Sequence, residues 1–351
     1  MATPTPLPKT MKQWVQTRNG APKDALQLKT DAAVPSAPAP SSADVLIKIS
    51  HAALNPVDVH HMRILPTWLP FRRCPTPGFD FCGEVVAAGS AAPEEFRKVG
   101  AVVGGALGGM QVAFGKGTLA EYVTMPAHLL ALKPKGLSEA EAAGVLGIAG
   151  QTANICVRAA GVEQGQRGLV NGASGGVGSL LVQILKAKGV VVYGVCSGVN
   201  EAMVKGLGVD EVIDYKAHDP VEPFLAEKFK DQPLDFIIDC VGSQPLFSHS
   251  TGYLKPKGKF LTIAGGKSNG VVPFVRNRLR PVMLGGTPRS WQILALLPAG
   301  NLAQEVAAFV DDGSIKKPLV DEVFPFEEAV KAFEKLATGR AKGKIVVKVA
   351  V

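Results

Sequence analysis

Leu169-Val170-Asn171-Gly172-Ala173-Ser174-Gly175-Gly176-Val177-Gly178 is the stretch on which the fold turns. A short apolar run ends in a glycine-rich turn, and the pattern from Val177 to Lys188 is helical. Set against G-x-G-x-x-G, Ala173 holds the first position, Gly175 the second and Gly178 the third. Without a Cβ at Gly175, a pyrophosphate can approach the main chain. Without one at Gly178, helix and strand can pack closely. The first N–H groups of the helix, around Ser174, Gly175, Gly176 and Val177, have no partner within it and attract phosphate. A glycine-rich turn alone carries little weight. Its place between a strand and a helix makes it a dinucleotide-binding expectation.

The same alternation continues downstream. Val190 to Val195, Val212-Ile213, Phe236 to Asp239 and Lys259 to Ile263 read as short buried strands, with a helix at Glu201 to Leu207. Strands alternating with helices imply an α/β fold with a doubly wound parallel sheet. Upstream the texture differs. Prolines and glycines interrupt the chain from Asn55 to Ala131, so that part reads as a β-rich domain without long helices. Ser138 and Glu141 have capping-box spacing and open an Ala-rich helix. Lys344 to Val349 is again a strand, expected to rejoin the first domain. The expected division is 1–134, 135–300 and 301–351, the last piece returning to the first.

The second strand of the parallel series ends Tyr193-Gly194-Val195-Cys196-Ser197. Enzymes that use NAD usually place Asp or Glu here, on the ribose 2′-hydroxyl. Ser197 and Asn200 can instead donate to a 2′-phosphate, which points to NADP(H). The other reading of Ser197 is a cap on the next helix.

Composition limits the remaining choices. With 46% hydrophobic residues and 19% charged in 351, the chain can build substantial cores. The five cysteines include no CxxC pair, which argues against a disulfide framework and suggests a reducing compartment. No apolar run reaches the length of a membrane helix, and Met1 to Thr10 lacks an apolar signal core, so a cytoplasmic location is expected. The net charge is +8, and the densest basic run, Arg276 to Arg280, has no aromatic interleaving. It is read as a solvated face, with no nucleic acid expected.

Further stretches carry a family resemblance: Ala53-Leu54-Asn55-Pro56-Val57-Asp58, Pro77-Gly78-Phe79-Asp80-Phe81-Cys82-Gly83, Gly117-Thr118-Leu119-Ala120-Glu121-Tyr122, Ala149-Gly150-Gln151-Thr152-Ala153, Val212-Ile213-Asp214-Tyr215, and Gly339-Arg340-Ala341-Lys342-Gly343-Lys344-Ile345-Val346. With the glycine turn, they make the chain resemble the zinc-free quinone oxidoreductase branch of the medium-chain dehydrogenase/reductase superfamily. The resemblance covers nearly the whole chain. It implies a GroES-like β-rich domain beside a Rossmann domain, with the cofactor in the cleft between them. Zinc-dependent relatives bind the catalytic metal through Cys, His and Cys. Asn55, Phe79 and Ile148 stand at those positions here, and amide, phenyl and alkyl groups cannot replace those ligands. The four-cysteine structural zinc lobe is missing too, since no cysteine lies between Cys82 and Cys156. His51, His60 and His61 are read as ordinary loop histidines.

The resemblance places Asn55 at the nicotinamide ribose or the substrate carbonyl, although it can equally stabilise the turn before Pro56. It places Thr152 at the nicotinamide ribose, Tyr215 by the adenine or the 2′-phosphate, and Arg340 near the adenosine phosphate. Cys240 and Val241, after the fourth strand, would pass close to the cofactor. Two departures stand out: Gly100-Ala101 replaces the usual Gly-Asp, and Asn200 stands where a basic residue is common. Met62, Trp68, Phe71 and Met110 are candidate pocket walls.

The expected activity is metal-free hydride transfer from NADPH to a quinone or an α,β-unsaturated carbonyl, by a monomer or homodimer. Asn55 is the candidate donor to the developing oxyanion. A trans-acting enoyl reductase of secondary metabolism would look the same in sequence. A different class is a non-enzymatic NADPH-binding protein, crystallin-like or RNA-binding, which would bind the cofactor without turnover.

Overall fold

The structure, a computed structural model, describes residues 7–72, 75–263, 277 and 281–349. Cys74, the Phe71 side chain and the basic run at 276–280, apart from Asn277, lie outside the described residues. The chain divides into two compact units: Met1–Gln151 with Leu297–Gly313 and Pro318–Val351, and Thr152–Leu296 with Ser314–Lys317. The change of unit falls later than the expected 134/135 division because the capped helix Glu139–Val145 packs on strands of the first unit.

The first unit is mostly antiparallel. β1 (Thr10–Gln16) and β2 (Leu26–Ala33) form a two-stranded sheet. β3 (Asp44–Leu54), β4 (Asp80–Ala88), β5 (Val102–Ala106), β6 (Tyr122–Pro126) and β7 (Leu130–Leu132) follow. After the second unit the chain returns as β14 (Val320–Pro325) and β15 (Lys344–Lys348). The seven-stranded sheet runs β14-β15-β3-β4-β5-β7, with β6 paired to β3. The C-terminal strand pairs with β3, Ile345 opposite Leu54. Ile47, Phe81, Val103, Leu130, Phe333 and Ile345 belong to one buried core here. The longest helix between Asn55 and Ala131 is Pro56–Ile64, in keeping with the broken sequence.

The second unit holds β8 (Arg167–Asn171), β9 (Val191–Cys196), β10 (Glu211–Asp214), β11 (Leu234–Asp239), β12 (Leu254–Thr262) and β13 (Ser290–Ile293). All neighbours are parallel, in the order β10-β9-β8-β11-β12-β13. Strands covered on both faces read as continuous apolar runs, and Leu169-Val170 and Phe236-Ile237-Ile238 are such runs. The order reverses direction between β8 and β11, the switch point at which open α/β sheets bind ligands outside the carboxyl ends of their strands.

Candidate active site

The glycine turn lies at the carboxyl end of β8. Gly175 is the N-cap of the helix Gly176–Ala187, and no side chain caps that end. Its first N–H groups therefore receive no side-chain cap among the described residues, as a phosphate site requires. Gly178 packs where any Cβ would collide with the Gly172 carbonyl, which explains the third glycine of the motif.

Just after β9, two buried polar atoms have no partner among the described residues, the hydroxyl of Ser197 and Oδ1 of Asn200. Ser197 stands at the N-cap position of the following helical turn, but its side chain makes no capping hydrogen bond there. Nδ2 of Asn200 donates to Oγ of Ser174 at 3.2 Å, tying β9 to the glycine turn. Buried polar atoms without partners are uncommon in a finished fold, and here they suit a polar ligand. One carboxylate does come near. Asp214, ending β10, occupies the space that a side chain at position 198 would need, and its Oδ1 accepts the N–H of Lys216. Tyr215 is half exposed beside it, its N–H donating to the Cys196 carbonyl at 3.2 Å.

At the switch point Asn171 Nδ2 donates to Asp239 Oδ1 at 2.9 Å. Asp239 also accepts the N–H groups of Val241, Gly242 and Ser243, so it shapes the loop that carries Cys240 and Val241. Burial, then the neighbouring Cys156 and Asp239, push the Cys240 thiol well above its ordinary range, which makes it a packing group rather than a nucleophile. Thr152 is buried on the helix Ile148–Ala160. The second unit thus gathers Ser174, Gly175, Gly176, Val177, Gly178, Ser197, Asn200, Tyr215, Cys240 and Val241 at the carboxyl ends of β8 to β11. Asn55 and Arg340 belong to the first unit, where Arg340 is exposed and its N–H donates to Thr338.

Asn55 ends β3 and is the N-cap of Pro56–Ile64. Its backbone N–H donates to Asp58 at 2.7 Å. Its side chain is buried and held at both ends: Nδ2 donates to Asp80 Oδ2 at 2.8 Å, and Oδ1 accepts from Lys344 Nζ at 2.6 Å. Lys344 Nζ also donates to the Leu54 carbonyl at 3.0 Å and to Asp80 at 3.1 Å. Asp80 Oδ1 accepts the N–H of Ile148 at 2.8 Å. The Asp80 carboxylate fills the space that a Cβ at residue 147 would need, so glycine is required there. Burial raises the Asp80 carboxyl above the usual range, opposed by Lys344, Asn55 and Ile148. Asp58 is pushed up to about 7, first by burial and then by nearby Asp80. With Asp58 protonated, the buried group carries one anion and one cation.

Residues 41–135 match the family described as "Alcohol dehydrogenase GroES-like domain", and residues 207–347 the one described as "Zinc-binding dehydrogenase". A medium chain reductase, pydE of Acremonium sp, is 35% identical over 97% of this chain and 99% of its own length. The chain belongs to the medium-chain dehydrogenase/reductase superfamily, in its quinone-oxidoreductase-like branch. Trans-enoyl reductase poxH of Penicillium oxalicum is 32% identical over 97% of this chain and 98% of its own length. The solved quinone oxidoreductase of Coxiella burnetii superposes with a TM-score of 0.80, at 28% identity, covering 97% of this chain and 99% of that one. Membership of this superfamily makes the chain a pyridine-nucleotide oxidoreductase. The glycine turn, the uncapped helix and the two unpartnered atoms fit such a cofactor.

A zinc ion is a different matter. Of the three positions that hold the metal in zinc-dependent medium-chain dehydrogenases, Asn55 is tied up with Lys344 and Asp80. Phe79 is buried, with its ring 5.1 Å from that of His61. Ile148 offers only its backbone N–H. These groups do not fit a zinc ion. Among the described residues no cluster of three or more His, Cys, Asp or Glu forms a metal site. The histidines are not loop residues as expected: His51 lies in β3, and His60 and His61 in the helix that Asn55 opens. Met62 is core, whereas Trp68 and Met110 are exposed. Asp58, Asp80 and Lys344 lie inside the family motifs without standing out by residue type or spacing. For Asp80 and Lys344 a charge opening a largely apolar strand was the available signal, and for Asp58 its place three residues after Asn55 at a helix start. Among the described residues no helix is long and apolar enough to cross a membrane.

Proposed function

We propose that this chain reduces an α,β-unsaturated carbonyl, with an enoyl group as its first substrate class, using NADPH and no metal. The observation that carries the reading is the buried amide of Asn55 at a metal-ligand position, next to a fixed ammonium group. The β-carbon of the substrate receives hydride, negative charge builds on the carbonyl oxygen, and water delivers a proton to the α-carbon. Asn55 donates a hydrogen bond to that oxygen, where a charge-assisted environment is most effective. The bound cofactor supplies the hydride. The helix start at Ser174 to Val177 would hold its pyrophosphate, and Ser197 and Asn200 its 2′-phosphate. Because Ser174 Oγ both donates and accepts, the Asn200 amide can present either edge outward. Thr152, Tyr215, Cys240, Val241 and Arg340 would line the rest of its path. The trans-enoyl reductase relative supports the enoyl class. The quinone oxidoreductase relative supports a second reading, in which a quinone takes the same hydride.

The test is oxidation of NADPH, and separately of NADH, by the purified chain against an enoyl thioester, a simple enone and a quinone. Turnover of the enoyl thioester or enone with NADPH is expected. Turnover of the quinone alone would select the second reading. Cofactor binding without turnover on any acceptor would point to a non-enzymatic role.

A further inference from the structure

The buried group around Asn55 does more than fill space. An ammonium can only donate and a carboxylate can only accept, so Lys344 and Asp80 together decide which end of the Asn55 amide is oxygen and which is nitrogen. Ordinarily that assignment is open, because the two ends have the same shape. Here one N–H is committed to Asp80. The other has only a long contact to the Ala53 carbonyl, at 3.5 Å, and keeps its capacity to donate. Lys344 uses all three of its N–H donors, on Leu54, Asn55 and Asp80. Asp80 is fixed in turn by the Ile148 N–H. Around one carboxylate the structure thus gathers the residues at all three metal-ligand positions of the zinc-dependent relatives: Asn55 and Ile148 by hydrogen bonds, and Phe79 as its chain neighbour.

We propose that Lys344 and Asp80 are positioning residues for the reaction: a charged clamp that holds the Asn55 amide in one orientation, with one N–H left for the substrate oxygen. The inference rests on the assignment of Asn55 as the oxyanion donor. A clamp that served stability alone would show a different pattern on mutation. Removing one charge strands the other in the core and destabilises the fold. Removing both restores neutrality, yet leaves the amide free to turn over.

Four variants, Asn55→Ala, Lys344→Met, Lys344→Arg and the double variant Asp80→Asn/Lys344→Met, separate the outcomes. Melting temperature, NADPH affinity and single-turnover hydride transfer to an enone would be measured on each. The double variant is expected to melt near the parent and to keep NADPH affinity within about twofold, while hydride transfer falls by roughly 10–100-fold. Lys344→Arg, which keeps the charge, should retain most of the rate that Lys344→Met loses. A double variant that recovers both stability and rate would overturn the clamp. If Asn55→Ala is folded and transfers hydride at the parent rate, the assignment of Asn55 fails and takes the clamp with it. A slow Asn55→Ala beside a fast double variant removes the clamp alone.

Discussion

At the scale of one residue, the proposed preference for NADPH rests on Ser197. Its hydroxyl is buried just after β9 without a partner among the described residues, so it is available to a 2′-phosphate oxygen. Ser197→Asp places a carboxylate at that point and is expected to erase or reverse a preference for NADPH, by about 1–3 kcal/mol of like-charge repulsion. Dissociation constants for NADPH and NADH on parent and variant check this. Equal affinity of the parent for the two cofactors would sink the NADPH reading itself. Asp58 gives a different prediction. Burial pushes its carboxyl up to about 7 in the folded chain, well above the ordinary aspartate range. The folded state therefore binds this proton more tightly. That contribution is fully present below the unfolded value and is lost as pH rises through about 7. Asp58→Asn should remove the slope, gaining on the order of 2–4 kcal/mol relative to the parent between about pH 5 and about pH 8. Denaturant unfolding of both proteins at the two pH values is the check. A constant difference between them would show that Asp58 does not titrate in this range.

At the scale of elements, what was local in the chain was legible. A strand, a glycine turn and a helix in sequence lie within about twenty residues, so periodicity and turn chemistry alone predicted β8 and its helix. The capping box of Ser138 and Glu141 was legible for the same reason and is formed, with the Ser138 N–H donating to Glu141 at 2.8 Å. The sheet on which that helix packs was not, because side chains far away decide it. The sixth parallel strand was missed altogether. β13 is four residues long at the sheet edge, and only Trp291 in it is buried, so no alternation or apolar run marks it. The glycine motif makes a prediction at this scale. In Gly178→Ala, the added Cβ meets the Gly172 carbonyl, so the helix start must shift away from β8. Overpacking of this kind costs about 1–3 kcal/mol. Melting temperature and cofactor affinity should therefore fall together. A variant with parent-like values for both would show that the helix start tolerates the shift.

For the whole molecule, the zinc positions give the broadest prediction. The purified protein is expected to hold no stoichiometric zinc, and a chelator should leave its turnover unchanged. About one tightly bound zinc per chain in elemental analysis would contradict this. The candidate site was only half legible for a reason that also belongs to this scale. Asn55 could be found from its motif, but its partners stand 25 and 289 residues away in sequence. Only the pairing of β3 with β4 and β15 brings them together, and sequence patterns do not state register. The residues proposed to face the cofactor in the second unit, by contrast, stand at the ends of its strands β8 to β11, so their grouping follows from the order of its elements.

The position of Lys344 has a consequence in time. It is 264 residues beyond Asp80, so on a ribosome adding about 5–20 residues per second the carboxylate waits roughly 10–50 s for its cation. Throughout that interval residues His51 to Leu54 of β3 lack the neighbour that β15 will provide, while β6 can already pair with Asp44 to Lys48. The second unit has all of its strands translated before that moment. The first unit, begun earlier, is the last to be finished. Whatever shields the nascent chain has only that last stretch of β3 to cover until the final strand emerges.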